Sequence, residues 1–382
     1  MKFLIQYKEI VRGLQRVQTI VDRKEIRPIL SHLLIRAEDD HIEIFATNLE
    51  VSIKETCPAE VIQKGSIVID AKKIYEIVRE LPEKTICLER QDNNRVKIST
   101  DDILFNLVGL EPDEFPEINF LDSENFQEID RAVIRELIEK TLYASSNDET
   151  KHHLNGVFFE KQTRNEKEIL RAVATDGHRL SMVEKDIKTV NEQGFLEIEQ
   201  LKKGVIFPKR GLIELKKVVD EDPETKTIYF LCKENSGFFK RRDVAIAIRT
   251  IDEEFPNFSQ AIPEDIKQEI VINRLEFLGA LKRISIVAEE KSKAIRLDIS
   301  KGTMNICASN PILGEGRETI PIEHQGEEIG LGFNAGYLID VLNAIKSEKV
   351  IIKLRDNESP VILTPFNGEE YTCIVMPMEI ND

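Results

Sequence analysis

The residues with the greatest chemical potential lie in one short run, Ala174-Thr175-Asp176-Gly177-His178-Arg179-Leu180. Asp176 and His178 are the residue types of an acid–base pair, and the adjacent His152 and His153 are the types that ligate metals. Neither pair has company. No Gly-x-Ser-x-Gly, glycine-rich phosphate loop or His-Glu-x-x-His occurs in the chain. Spacing alone supplies no partner base for His178. The five cysteines (Cys57, Cys87, Cys232, Cys307, Cys373) are odd in number, scattered and never in a Cys-x-x-Cys pair. That is the usage of a reduced intracellular protein without a disulfide framework or zinc ribbon. The expectation is a protein with no catalytic constellation, no metal and no cofactor.

The run makes more sense as architecture. An Asp-Gly step between apolar stretches marks a tight turn, because glycine tolerates positive φ and aspartate bonds nearby backbone. Two echoes occur: Ala46-Thr47-Asn48 after Ile42-Glu43-Ile44-Phe45, and Ala308-Ser309-Asn310 after Met304-Asn305-Ile306-Cys307. Alanine, a hydroxyl residue and Asx thus recur at strand ends 128 and 134 residues apart. Two further markers keep the same order. A second helix starts near Asp70, Pro208 and Asn334, with Pro well suited to a first turn. Each unit then closes on Phe115-Pro116, Phe255-Pro256 or Met376-Pro377. Three ordered markers predict three tandem copies of one α+β unit, each with two helices and many antiparallel strands. The expected boundaries are 1–124, 125–260 and 261–382.

Length and composition agree. A chain of 382 residues, 41% hydrophobic, exceeds what one core usually holds. Neither a signal-peptide core nor an apolar run long enough for a membrane span is present, which predicts a soluble, cytoplasmic chain. The formal charge of −16 argues against an ordinary basic nucleic-acid binder. Yet the helices carry basic residues off their apolar faces. Helical periodicity over 8–21 buries Ile10, Leu14 and Val17 and leaves Arg12 and Arg16 one turn apart outside. Helices predicted over 71–81, 131–144, 209–219 and 274–287 likewise offer Lys72 and Lys73; Arg131 and Arg135; Lys209, Arg210, Lys216 and Lys217; and Lys282 and Arg283. The helix over 335–345 is the exception, nearly uncharged. Segregated charge of this kind suits a helix-lined surface that meets a polyanion without reading base edges.

The triplicate unit, the run from Ala174 to Leu180, the preceding Leu154-Asn155-Gly156 and the terminal Val375-Met376-Pro377-Met378 together resemble the bacterial DNA polymerase III beta subunit family, the sliding clamps. The resemblance spans essentially the whole chain. It implies three similar domains in a crescent and two crescents closed head to tail as a homodimeric ring. Twelve helices would then surround a central hole with sheets outside. The implied function is to encircle duplex DNA independently of sequence and tether the replicative polymerase for processive synthesis. A separate clamp loader and other proteins carrying clamp-binding peptides are implied partners. The alternative from another class is a monomeric peptide-binding scaffold that never closes around DNA.

The resemblance also assigns residues. A partner-peptide pocket is implied at Leu154, Thr175, Gly177, His178, Arg179, Leu180, Pro256, Ile374, Met376, Pro377 and Met378, where adaptable methionines suit several ligands. His152 and His153 stand where relatives place an aromatic pair that touches DNA, and Arg23 and Lys24 form a second candidate loop. Ring closure is implied between Phe105 and Leu107 of one subunit and Ile286 and Val287 of the other.

Overall fold

The computed structural model describes residues 1–21, 27–121, 124–164, 167–187, 198–222 and 224–379. The first repeat runs β1 (Lys2–Gln6), α1 (Tyr7–Val17), β2 (His32–Ala37), β3 (His41–Thr47), β4 (Val51–Pro58), β5 (Glu60–Gln63), β6 (Gly65–Asp70), α2 (Ala71–Arg79), β7 (Thr85–Arg90), β8 (Arg95–Thr100) and β9 (Ile103–Val108). The second runs β10 (Gln127–Asp130), α3 (Arg131–Thr141), β11 (Gly156–Arg164), β12 (Lys167–Thr175), β13 (Arg179–Asp186), α4 (Glu199–Lys203), β14 (Val205–Pro208), α5 (Lys209–Glu221), β15 (Thr227–Lys233), β16 (Ser236–Arg241) and β17 (Val244–Arg249). The third runs β18 (Gln268–Asn273), α6 (Arg274–Ile284), β19 (Ala294–Ser300), β20 (Thr303–Asn310), β21 (Gly314–Pro321), β22 (Ile329–Asn334), α7 (Ala335–Ala344), β23 (Lys349–Leu354), β24 (Val361–Pro365) and β25 (Tyr371–Val375). Strand, helix, strands, helix, strands is the common order, with the short α4 as an addition in the second repeat.

Local chemistry explains the elements. Ile10, Leu14 and Val17 give α1 a buried stripe, and α1 ends at Val17, short of the expected 21. Asp70 caps α2 by accepting from Lys73 N at 2.8 Å, Asn273 caps α6 through Leu275 N and Glu276 N, and Asn334 caps α7 through Gly336 N. Pro208 ends β14 rather than opening the helix, which begins at Lys209. Along β4 the side chains of Val51, Ile53, Glu55 and Cys57 are buried and those between them are not.

The strands form four antiparallel sheets within two compact units. One unit comprises Met1–Arg131 and Arg210–Thr250, and the other takes most of the remainder. The first unit holds a five-stranded sheet, β5-β1-β7-β8-β9, and an eight-stranded sheet, β10-β15-β16-β17-β4-β3-β2-β6. The second holds an eight-stranded sheet, β14-β11-β12-β13-β25-β24-β23-β18, and a four-stranded sheet, β21-β20-β19-β22. Both large sheets are built from two repeats, joined at β4–β17 and at β13–β25. The middle repeat is therefore shared between the units.

A buried ion pair fastens α1 to the first of these joints. Arg16 pairs with Glu55 on β4, and its Nε donates to Glu221 Oε2 on α5 at 2.6 Å. Thr19 adds a bond to Glu214 Oε2 at 2.7 Å. Arg16, expected on the outward face, is thus inside. Glu55 is fully enclosed, and burial pushes its carboxyl up to about 7 against the pull of Arg16.

A carboxyl that binds its proton more tightly when folded contributes stability that is complete below its ordinary value near 4.5 and is lost as pH rises through 7. Denaturant titrations of the wild type and Glu55→Gln over that window should diverge. The wild type should lose up to about 1.4 kcal/mol per pH unit relative to the variant. Parallel curves would show that Glu55 is ionised throughout.

Candidate functional site

The turn between β12 and β13 is held by its own side chains. Asp176 Oδ1 accepts from His178 N at 2.9 Å and Arg179 N at 3.0 Å, while Thr175 Oγ1 accepts from Gly177 N and donates to Arg179 O. Gly177 sits at φ +92° with open space around it, as this turn requires. The same bonds recur elsewhere. Asn48 accepts from Glu50 N and Val51 N, and Asn310 accepts from Ile312 N and Leu313 N. The Asx of each echo is a turn clamp.

Arg179 is the hub of this region. Its guanidinium donates to Asp176 Oδ2 at 3.0 Å, to Asp340 Oδ2 on α7 at 2.6 Å and to Tyr143 O at 2.6 Å. It also lies over the rings of Tyr143 and Tyr337, 4.7 Å from the latter's centroid. His178 is exposed, and its ring stacks on Tyr337 at 6.2 Å. The imagined acid–base pair does not form: both Asp176 oxygens are committed to backbone N–H groups and Arg179.

The segment that follows β25 runs past this turn. Met376 N donates to His178 O at 2.9 Å, and Met378 N donates to Gly332 O at 2.9 Å. Met376 is exposed, and Pro377 and Met378 are half-buried. The strands on either side of the turn contribute to an apolar cluster of Leu154, Val173, Leu180, Ile206, Phe255, Ile362 and Ile374. Phe158, Phe258 and Ile262 pack on it, with Phe158 stacked on Phe255 at 4.9 Å. Of the expected pocket wall, Leu154, Leu180 and Ile374 belong to this cluster, and Thr175, Gly177, His178 and Met376 adjoin it along β12, β13 and β25, whereas Pro377 and Met378 line a separate cleft with Arg296, Gly330 and Gly332. Pro256 is exposed beside Phe255. Arg179 faces inward as a strut. Sequence reasoning missed Tyr337, Asp340, Phe158 and Ile362, which carry no local motif. Their contribution comes from strands and helices far apart in the chain.

The basic helix residues are largely neutralised in place. Arg12 pairs with Glu9 and Asp243, Lys72 and Lys73 with Glu76, Arg135 with Glu139, Lys216 with Asp220, Lys217 with Glu214 and Arg283 with Glu318. Arg131 donates to Val219 O, and Arg210 is half-buried. Lys209 donates to Asn147, and burial with nearby Arg179 holds its ammonium below the usual range. Lys282 is exposed and pairs with no carboxylate among the described residues. His152 is exposed, His153 lies 3.3 Å from Glu253, and no group of three or more potential metal ligands exists among the described residues. Arg23 and Lys24 lie outside the described residues.

Phe105 and Leu107 belong to β9, an edge strand whose Ile103, Leu104, Phe105 and Val108 are all exposed. Ile286 is 74% exposed and Val287 half-buried, just past the end of α6. None of these four expected interface residues is a core residue of its own chain.

Known proteins match over the full length. Models of the DNA polymerase III beta subunit match in order: the N-terminal domain at residues 1–119, the central domain at 128–257 and the C-terminal domain at 259–379. The beta sliding clamp of Vibrio cholerae is 28% identical over 382 residues, and that of Caulobacter vibrioides 29% over 382, each alignment covering 100% of both chains. Among solved structures, Caulobacter crescentus pol III beta superimposes with a TM-score of 0.92 at 29% identity, covering 100% of both chains. The DNA polymerase III subunit beta of Pseudomonas aeruginosa gives 0.89 at 27%, with the same coverage.

The bonding of the turn makes two neighbouring substitutions unequal. Asp176→Ala strips acceptors from two N–H groups and a partner from Arg179, and should cost about 1–3 kcal/mol in urea unfolding. His178→Ala, at an exposed ring, should stay within about 0.5 kcal/mol of wild type. Equal losses would deny Asp176 its clamping role.

Proposed function

The chain belongs to the DNA polymerase III beta subunit family, and from that membership we propose that two copies close head to tail into a ring around duplex DNA. It is a sliding clamp, a processivity factor with no reaction of its own. The three repeats, taken as 1–124, 125–260 and 261–382, would supply six units to the ring. The replicative polymerase, other clamp-binding proteins and an ATP-driven loader are its partners in this reading, and a cytoplasmic location goes with that role.

The observation that carries the ring is β9. An edge strand with exposed apolar residues on both faces and unpaired backbone groups is a site for strand addition. The third repeat offers Ile286 and Val287, just past the end of α6. Topological attachment then needs only weak phosphate contact, and the helices suit that: each lysine or arginine beside a carboxylate attracts phosphate less than a bare one. Residual attraction would come from Lys282, Arg12, Lys72, Lys73, Arg135, Lys217 and Arg283 as a field, with His152 and His153 at its margin. The cluster of Leu154, Leu180 and Ile374, adjoined by the exposed His178 and Met376, supports docking of a short Gln- and Leu/Phe-containing peptide.

Sedimentation should give twice the 43.8 kDa chain mass, and the loaded protein should stay on circular DNA while running off linear DNA. A monomer at every concentration, or equal loss from both DNAs, would favour the open peptide-binding scaffold. Met376→Ala with Met378→Ala should weaken a fluorescent Gln-x-x-Leu-Phe peptide by about 5–50-fold with the dimer unchanged. Undiminished affinity would remove the methionines from the pocket.

A further inference from the structure

The two joints between repeats are made of corresponding parts and can be matched position by position. Asn48 N donates to Val51 O across the first turn and Asp176 N to Arg179 O across the second, so Val51 and Arg179 are equivalent. Val51 stands opposite Ile248 of β17, and Arg179 opposite Val375 of β25. The helices after β14 and β22 correspond too, α5 beginning at Lys209 and α7 at Ala335. Counted from those starts, Gly211 matches Tyr337 and Glu214 matches Asp340.

At these positions the first joint lacks what the second has. The guanidinium of Arg179 has no counterpart at Val51, nor at Gly314, which pairs with Asn310 across the third repeat's turn. The ring of Tyr337 has none at Gly211, where an added Cβ would stand 2.3 Å from Ile248 Cγ2. Glu214 accepts instead from Thr19 Oγ1 at 2.7 Å and from Lys217 Nζ at 2.8 Å. Yet β4 and β17 pair in unbroken register, as β13 and β25 do. Joining two repeats therefore requires neither the arginine nor its partners on the helix.

We infer that Asp340 is a positioning residue for the peptide site, acting through Arg179 on the edge formed by His178 and Met376. This rests on the peptide-docking reading and adds to it a residue that the peptide does not touch. Ser181 Oγ donates to Lys140 O of α3, so that side of β13 faces the helices. Arg179, two residues earlier, shares the side, while Leu180 points the other way into the apolar cluster. Asp340 lies with Arg179 on the helix side, in the cleft between α3 and α7 that Glu139 and Asn343 also line. A peptide seated over Leu180 and Ile374 has the sheet between itself and this carboxylate.

The connection from Asp340 to the edge is continuous. One terminal nitrogen of Arg179 donates to Asp340 Oδ2, the other to Tyr143 O, and Nε donates to Asp176 Oδ2. Asp176 Oδ1 accepts from His178 N, and His178 O accepts from Met376 N. A planar guanidinium held by three elements cannot turn without breaking one of these bonds. Tyr337, from the same helix as Asp340, lies under the guanidinium at 4.7 Å and stacks on the His178 ring at 6.2 Å. Helix α7 thus holds the turn by a charge and by a ring. Without Asp340 the guanidinium is released from the helix, and His178 and Met376 gain freedom that a peptide must remove on binding, at a cost to affinity.

Anisotropy of the fluorescent Gln-x-x-Leu-Phe peptide on the full chain tests this. Asp340→Ala should weaken binding about 3–30-fold, the range for one partly exposed charge-assisted bond. Asp340→Asn, which keeps an acceptor for Arg179, should fall between that variant and wild type. Glu214→Ala, the counterpart at the first joint, should change affinity by less than about twofold. Arg179→Met should weaken binding by itself, and adding Asp340→Ala to it should weaken binding no further, because Asp340 acts only through the guanidinium. Urea midpoints of the Asp340 variants close to wild type would show that the joint itself is intact. Undiminished affinity in Asp340→Ala, or additive losses in the double variant, would overturn the positioning role and leave the peptide site standing. A wild-type chain that binds no peptide would overturn the docking reading, and this inference with it.

Discussion

A strand inside a sheet must have both its backbone edges paired, and the joints of this protein follow from how that requirement is met between repeats. Each repeat hands its closing strand to the repeat before it. β17 completes the sheet begun by β4, and β25 completes the sheet begun by β13. The hydrogen bonds that end one repeat are therefore those that fasten it to its neighbour. This accounts for three sequence repeats condensing into two compact units, with the middle repeat divided between them. The same rule leaves one donor strand and one acceptor strand over, at β9 and β21.

The joints are reinforced by buried polar groups drawn from both repeats. At the first, Arg16 reaches Glu55 on β4 and Glu221 on α5. At the second, Lys140 of α3 is buried against Glu136 and Glu369, and its carbonyl accepts from Ser181 Oγ at 2.5 Å and Tyr371 Oη at 2.8 Å. Lys185 joins Glu136 at 2.8 Å. Such groups are expensive to bury unless every partner is in place, so they favour one arrangement of the joint over slipped ones. Arg179 extends the same logic to the surface. It ties the β12–β13 turn to α7 and to the backbone at Tyr143, and leaves His178 and Met376 exposed beside an apolar floor. In the proposed role, this rigid turn and the exposed Met376 would hold short peptides of varied sequence.

Charge is arranged with equal economy. The net of −16 coexists with helices rich in lysine and arginine because most of those residues sit three or four positions from a carboxylate. At physiological salt such pairs are screened and nearly neutral at a distance. A surface of this kind can pass along a polyanion without holding any phosphate tightly, which is what a sliding tether requires.

By itself the sequence determined whatever is local. Asx clamps, capping residues at Asp70 and Asn334, apolar periodicity in α1 and the closing Phe-Pro or Met-Pro steps all act within a few residues. Three copies of them made the repeat legible, and with it the family resemblance. Partner choice was not local. Arg16 reads as an outward residue one turn from Arg12 until Glu55 and Glu221, 39 and 205 positions away, are folded against it. Tyr337 and Asp340 carry no motif, and they enter the site only because α7 packs beside a turn 161 residues earlier in the chain. Phe105 and Leu107 show the limit most clearly. A period-two apolar strand reads the same whether its face is core or interface, because periodicity records which side chains share a face. Which strand, if any, lies alongside is decided by the tertiary structure.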